Sequence, residues 1–107
     1  MYKEKLKIYD EIVKRCADFE RKGKTMPYTS ANGYMFSLLN KAGEIGIRFS
    51  YEVQKQYMLK YITTHFKSYG ATMKGYILIT DELLEDLEEV ASLLNESYVY
   101  VKSLDPR

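Results

Sequence analysis

The sequence has no tryptophan, one cysteine, one histidine and two prolines among 107 residues. A lone cysteine, Cys16, rules out an intrachain disulfide and fits a reducing compartment. One His and one Cys cannot build a structural zinc site without several carboxylates, and their spacing suggests none. Long apolar runs are missing too. None approaches the roughly 20 residues that span a bilayer. No apolar signal-peptide core follows Met1, which leads into the charged stretch Tyr2-Lys3-Glu4-Lys5. These absences lead us to expect a cytoplasmic protein with no membrane partner. Also missing are a GxxxxGK[ST] phosphate loop, a GxGxxG turn and a GxSxG elbow, so no familiar nucleotide or hydrolase machinery is written in the chain.

What is present is a globular composition, 46% hydrophobic and 29% charged, with eleven tyrosines. The length suits one domain spanning 1–107, and there are no repeats or low-complexity tracts. Net charge is +1, which announces neither nucleic acid nor membrane. The charge is uneven: residues 1–60 carry 12 Lys/Arg against 7 Asp/Glu, and residues 61–107 carry 4 against 8. The two parts therefore differ in sign.

Gly33–Phe49 reads as a hairpin. Two aromatic and branched runs, Tyr34–Leu39 and Ile45–Phe49, flank a polar turn containing Gly43. Alternation puts Ile45, Ile47 and Phe49 on one face. Before it, residues 3–20 predict a helix with Leu6, Tyr9, Ile12, Val13, Cys16 and Phe19 on one stripe. Arg21-Lys22-Gly23-Lys24 reads as that helix's C-terminal cap, with anion contact the sharper alternative. Thr25–Tyr28 should begin the sheet as an edge or irregular strand, because Pro27 cannot donate a ladder bond. Thr29–Gly33 has turn composition.

Ser50 is a cap candidate for a helix over 51–61. Phe66–Tyr69 suggests a short strand broken by Gly70, and Met73–Ile79 a full one. Thr80 can cap a following segment and Asp86 a second, whose stripe is Leu87, Val90, Leu94, Tyr98, Val101 and Leu104. The acidic run from Asp81 to Glu89 reads first as a solvated face, with a metal or basic partner as the alternative. Ile12, Cys16, Phe36, Leu38, Ile47, Phe49, Ile77, Leu87, Leu94 and Tyr98 form the expected core. Cys16 fits a buried thiol and His65 a polar junction. The glycines of Ser68–Tyr76 read as a structural turn or bulge.

The pattern predicts an α+β fold: a two-layer domain with an antiparallel sheet of four or five strands in the order α-β-β-β-α-β(-β)-α. A basic-aromatic set stands out as surface. Arg21, Lys22, Lys24, Tyr28, Arg48, Lys67, Lys74 and Tyr76 are its candidate contacts, joined by Tyr34 and Tyr69. Cations interleaved with rings suit a nucleic acid strand. They suit a protein contact equally, and amphipathic surface is the plain reading.

Lys24-Thr25-Met26, Gly33–Phe36, Glu44–Phe49, Tyr76–Ile79 and Asp81–Leu84 together resemble the N-terminal domain of the TfoX family, and are similar in order to YjbR-like and YdhG-like small domains. Thr80 stands where the family pattern has proline. The resemblance covers about residues 3–104. It implies helices packed on an antiparallel sheet and a regulatory domain without catalytic residues; in YjbR-like proteins the fold has been likened to DNA-binding wings. We therefore expect a non-enzymatic interaction module, needing no cofactor or metal. A protein partner or self-association comes first, and nucleic-acid binding is the alternative.

Overall fold

The computed structural model describes residues 2–68 and 70–107. Tyr69 lies outside the described residues. The order is α-β-β-β-α-β-β-α. Helix α1 is Tyr2–Lys14, followed by strands β1 (Tyr28–Ala31), β2 (Tyr34–Leu39) and β3 (Ile45–Arg48). Helix α2 (Tyr51–Lys60), strands β4 (His65–Ser68) and β5 (Ala71–Ile79) and helix α3 (Leu87–Lys102) complete it. The described strands form one antiparallel sheet in the order β1-β2-β3-β5-β4. The fold is α+β, as the alternation of helical and strand periodicities implies.

The described helices lie on one face. Tyr9, Ile12 and Val13 of α1 and Val90, Leu93, Leu94 and Val101 of α3 join Phe36, Leu39, Ile45, Ile47, Ile77 and Ile79 in one buried cluster. Half-buried Val53, Tyr57, Met58 and Tyr61 of α2 pack against it. Tyr57 also donates to Glu96 at 2.6 Å, which ties α2 to α3. The register of β3 on β5, Ile45 with Ile79 and Ile47 with Ile77, makes these four aliphatics a cross-strand floor.

A bulge sets the phase of β2. Thr29 pairs with Ser37 but Ser30 pairs with Met35, so Phe36 is the extra residue. Phe36 and Leu39 therefore join the helix-side cluster, whereas Leu38 belongs to the opposite one. Ser37 also turns to the helices, and its hydroxyl meets Tyr9 Oη at 2.7 Å and Thr29 Oγ1 at 2.5 Å. Every member of this trio is buried. Burial pushes the Tyr9 phenol well above its ordinary pKa, against the lowering effect of those hydroxyls.

Several boundaries differ from the sequence reading. Helix α1 ends at Lys14, not near residue 20. The Cys16 amide bonds to Val13 O, a tightened last turn, and the Cys16 thiol reaches Ile12 O and Ala91 O. Leaving the helix lets Phe19 pack between Phe36 and Tyr98, with ring centroids at 5.0 and 5.1 Å. Gly23 is therefore no helix cap. It takes a positive φ of 85° in the turn leading to β1. The turn expected over 29–33 narrows to Asn32-Gly33, both with positive φ, because Thr29–Ala31 belong to β1. Cys16 is half-buried rather than sealed, though burial still pushes its thiol pKa up, helped by Asp18.

The expected caps form. Val53 N–H donates to Ser50 Oγ at 3.4 Å, Leu83 N–H to Thr80 Oγ1 at 3.2 Å, and Glu89 N–H to Asp86 Oδ1 at 3.1 Å. The segment whose first amide donates to Thr80 is a single tight turn, Leu83–Glu85, with Glu82 at its own cap position. At the other end of α2, Tyr61 N–H bonds to Tyr57 O and Thr63 N–H to Met58 O, a closure that places Ile62 at positive φ, 51°.

Candidate functional site

The sheet face away from the helices holds a second, smaller cluster. Leu38, Phe66 and Tyr76 are buried in it; Met26, Tyr28, Met35, Met73 and Leu78 surround them half-buried. No described helix residue belongs to it. What closes it is the curl of the sheet. Asn40 Nδ2, in the β2–β3 turn, donates to Lys67 O on β4 at 3.0 Å, although β5 separates β4 from β3 in the sheet. Tyr76 Oη donates to Met35 O at 2.6 Å, across from β5 to β2. Burial pushes the Tyr76 phenol up to about 12, partly offset by nearby Arg48. The result is a rolled sheet with an apolar outer fringe that includes Met26, Met35 and Met73, side chains that adapt readily to a partner surface.

The basic-aromatic candidates are distributed unevenly around this face. Arg21 is held by Asp10 through Nε at 2.8 Å and Nη2 at 3.2 Å, and donates to Gly23 O. The Asp10 bond raises its pKa. Its fork is therefore occupied. Lys22 exchanges backbone bonds with Tyr28 at 2.8 and 2.9 Å, flanking the β1 edge with an exposed ammonium. Lys24 is exposed nearby in sequence, and Tyr28 is half-buried in the second cluster. Lys67 is exposed on β4, the opposite edge strand. Tyr76 is 5% exposed, so its ring is packed away from any stacking ligand. Arg48 and Lys74 come together elsewhere, in a cleft.

That cleft, about 790 Å³, opens between the N-terminus of α2, the ends of β3 and β5, and the last turns of α3. Arg48, Tyr51, His65, Thr72, Lys74 and Tyr100 are among its polar and aromatic lining residues, and no carboxylate among the described residues lines it. The Arg48 guanidinium lies 5.3 Å from the Tyr34 ring centroid and 5.9 Å from that of Tyr100. Gly75 takes a positive φ of 96° alongside the Arg48 side chain, a backbone conformation that favours glycine. Tyr51 is 68% exposed and carries Lys55 Nζ 4.7 Å from its centroid. Arg48 and Lys74 were legible as candidates. Tyr51, Thr72 and Tyr100 were not, because nothing in their spacing shows that a helix start, a strand overhang and a helix end meet at one place.

The remaining chemistry-bearing residues stay apart. Cys16 faces α1 and α3 through carbonyls, far in the fold from His65, which is exposed at the start of β4 in the cleft lining. The acidic residues are partly spoken for: Asp81 pairs with Lys5 at 2.7 Å, Glu88 with Arg15, and Glu89 accepts from Tyr61. No group of three or more His, Cys, Asp or Glu among the described residues is placed to hold a metal ion. No described helix is long and apolar enough to cross a membrane. Comparison with family models, curated proteins and solved structures gives no match.

Proposed function

We propose that the chain is a non-catalytic, cytoplasmic interaction module of the TfoX N-terminal kind, and that its second sheet face is the contact surface, with a second copy as the occupant. The carrying observation is the one-sided layering: the described helices cover one face, while Met35, Met73, Tyr28 and Leu78 remain half-buried on the other. Charge favours a like partner. Lys22, Lys24, Lys67 and Lys74 are exposed on the strands and loops of the sheet, and Asp81, Glu82, Glu85 and Asp86 are exposed before α3. Two copies can therefore offer each other opposite signs. The α+β order agrees with what the family resemblance implies and supports the reading.

Light scattering over a concentration series, at low and high salt, tests it. Mass should rise with concentration at low salt and fall back with added salt. A Met35→Lys, Met73→Lys double variant should stay monomeric. A monomer under every condition overturns the self-association.

Nucleic-acid binding by the whole basic-aromatic face is the second reading. Exposed Lys22, Lys24 and Lys67 favour it, while Lys74 lies apart in the cleft with Arg48. The occupied Arg21 fork and the buried Tyr76 ring leave that face fewer contacts than the sequence offers.

A further inference from the structure

We infer that the cleft at the α2 N-terminus binds a phosphate-bearing aromatic ligand, the chemistry of a nucleotide, either free or within a single strand. This inference does not depend on the contact proposed for the second sheet face.

Three observations converge. The first is Arg48. Arg15 and Arg21 are neutralised by carboxylates, but Arg48 makes no ion pair among the described residues. Its guanidinium is instead set against the Tyr34 and Tyr100 rings, which fix its direction without consuming its charge. The second is the lining. Lys74 and Arg48 bring two positive charges, Thr72 and His65 bring polar groups, and no Asp or Glu among the described residues opposes them there. The amino end of α2, capped by Ser50 and carrying Glu52 in its first turn, borders the same opening through Tyr51 and Gln54. The third is Tyr51. Its ring is two-thirds exposed on the cleft rim, whereas the other tyrosines of the cleft and core are half-buried or buried. An exposed ring beside unpaired cations offers a base a stacking partner while the cations hold phosphate. The volume, about 790 Å³, lies within the usual range for small-molecule sites.

Arg48 and Lys74 are assigned the phosphate, Tyr51 the base. Calorimetric titration tests this with four probes: adenosine monophosphate, adenosine, inorganic phosphate and a short single-stranded deoxyadenosine oligonucleotide. Adenosine monophosphate should bind, adenosine should not, and inorganic phosphate should compete. Lys74→Ala, at an exposed site, and Arg48→Met should each weaken binding about tenfold, the worth of a charge-assisted bond. Tyr51→Ala should weaken the nucleotide but leave inorganic phosphate unchanged. An oligonucleotide that binds more tightly than the mononucleotide, with the same sensitivity to Lys74→Ala, makes the source a strand. Equal or weaker oligonucleotide binding makes it a free nucleotide. No binding of either phosphate-bearing aromatic probe, adenosine binding as tightly as its monophosphate, or affinities unmoved by Lys74→Ala would each overturn the assignment. Circular dichroism of Arg48→Met separates a folding defect from a lost contact, and Lys74→Ala alone decides the matter if that variant unfolds.

Discussion

Phe66 of β4 packs its ring directly onto Gly46 of β3, so closely that a Cβ at Gly46 would come within 2.5 Å of the ring. The two strands are not neighbours in the sheet; β5 lies between them. The contact therefore records the curl that buries Phe66 completely on the face without helices. Gly46→Ala should cost about 1–3 kcal/mol by overpacking. Phe66→Ala should cost about 3–5 kcal/mol by leaving a cavity. The double variant should cost clearly less than the sum, because the methyl then has somewhere to go. Urea denaturation of the four proteins measures this, and additive losses would mean that the two residues do not meet.

Ile62 occupies the position at the end of α2 that favours glycine. Its φ is 51° and its side chain is 88% exposed. A β-branched residue in the left-handed region is strained, and an exposed one regains little by packing. Ile62→Gly should therefore stabilise the protein by about 1 kcal/mol, despite the added freedom of the unfolded chain. A fall in thermal midpoint would show that Ile62 makes a contact worth more than its strain.

The Tyr9, Ser37 and Thr29 trio makes a graded prediction. Tyr9→Phe removes one partner and leaves the Ser37 hydroxyl bonded to Thr29, so the loss should be about 0.5–1.5 kcal/mol. Ser37→Ala leaves two buried hydroxyls seeking partners and should cost more, about 1–3 kcal/mol. If chemical denaturation finds Ser37→Ala the milder change, the trio is not a connected network.

Alkaline pH should destabilise the fold. Burial raises the folded-state pKa of Tyr9 and Tyr76, Tyr76 to about 12 from an ordinary 10.0. A group whose folded pKa is raised stabilises fully below its unfolded value and loses that contribution as pH climbs through the folded one. Stability should thus hold up to about pH 9 and fall between about pH 10 and 12. Phenolate absorbance read beside circular dichroism checks this. Ionisation of every tyrosine before any loss of structure would contradict it.

Much of the fold was legible because periodicity reports which face is buried. Ile45, Ile47 and Phe49 alternate inward as their spacing implies, and Ser50 and Asp86 cap the helices they precede. The bulge at Phe36 was not legible, since it depends on how β1 pairs with β2. Nor was the early end of α1: Phe19 continues the helical stripe in sequence, but reaches its place between Phe36 and Tyr98 from an irregular segment. Tyr76 reads in sequence as a surface ring, yet the curl of β4 buries it beside Phe66. Sites made by distant elements meeting leave no local pattern, and the cleft around Arg48 is one.

The most direct test of the proposed contact surface is photocrosslinking between copies. A photoreactive phenylalanine is placed at Met73, on the uncovered sheet face, and separately at Ser92, exposed on the helix layer. Position 73 should give a crosslinked dimer that grows with protein concentration and shrinks with salt, and position 92 should give none. Dimer from position 92 alone, or from neither, would contradict a sheet-face contact.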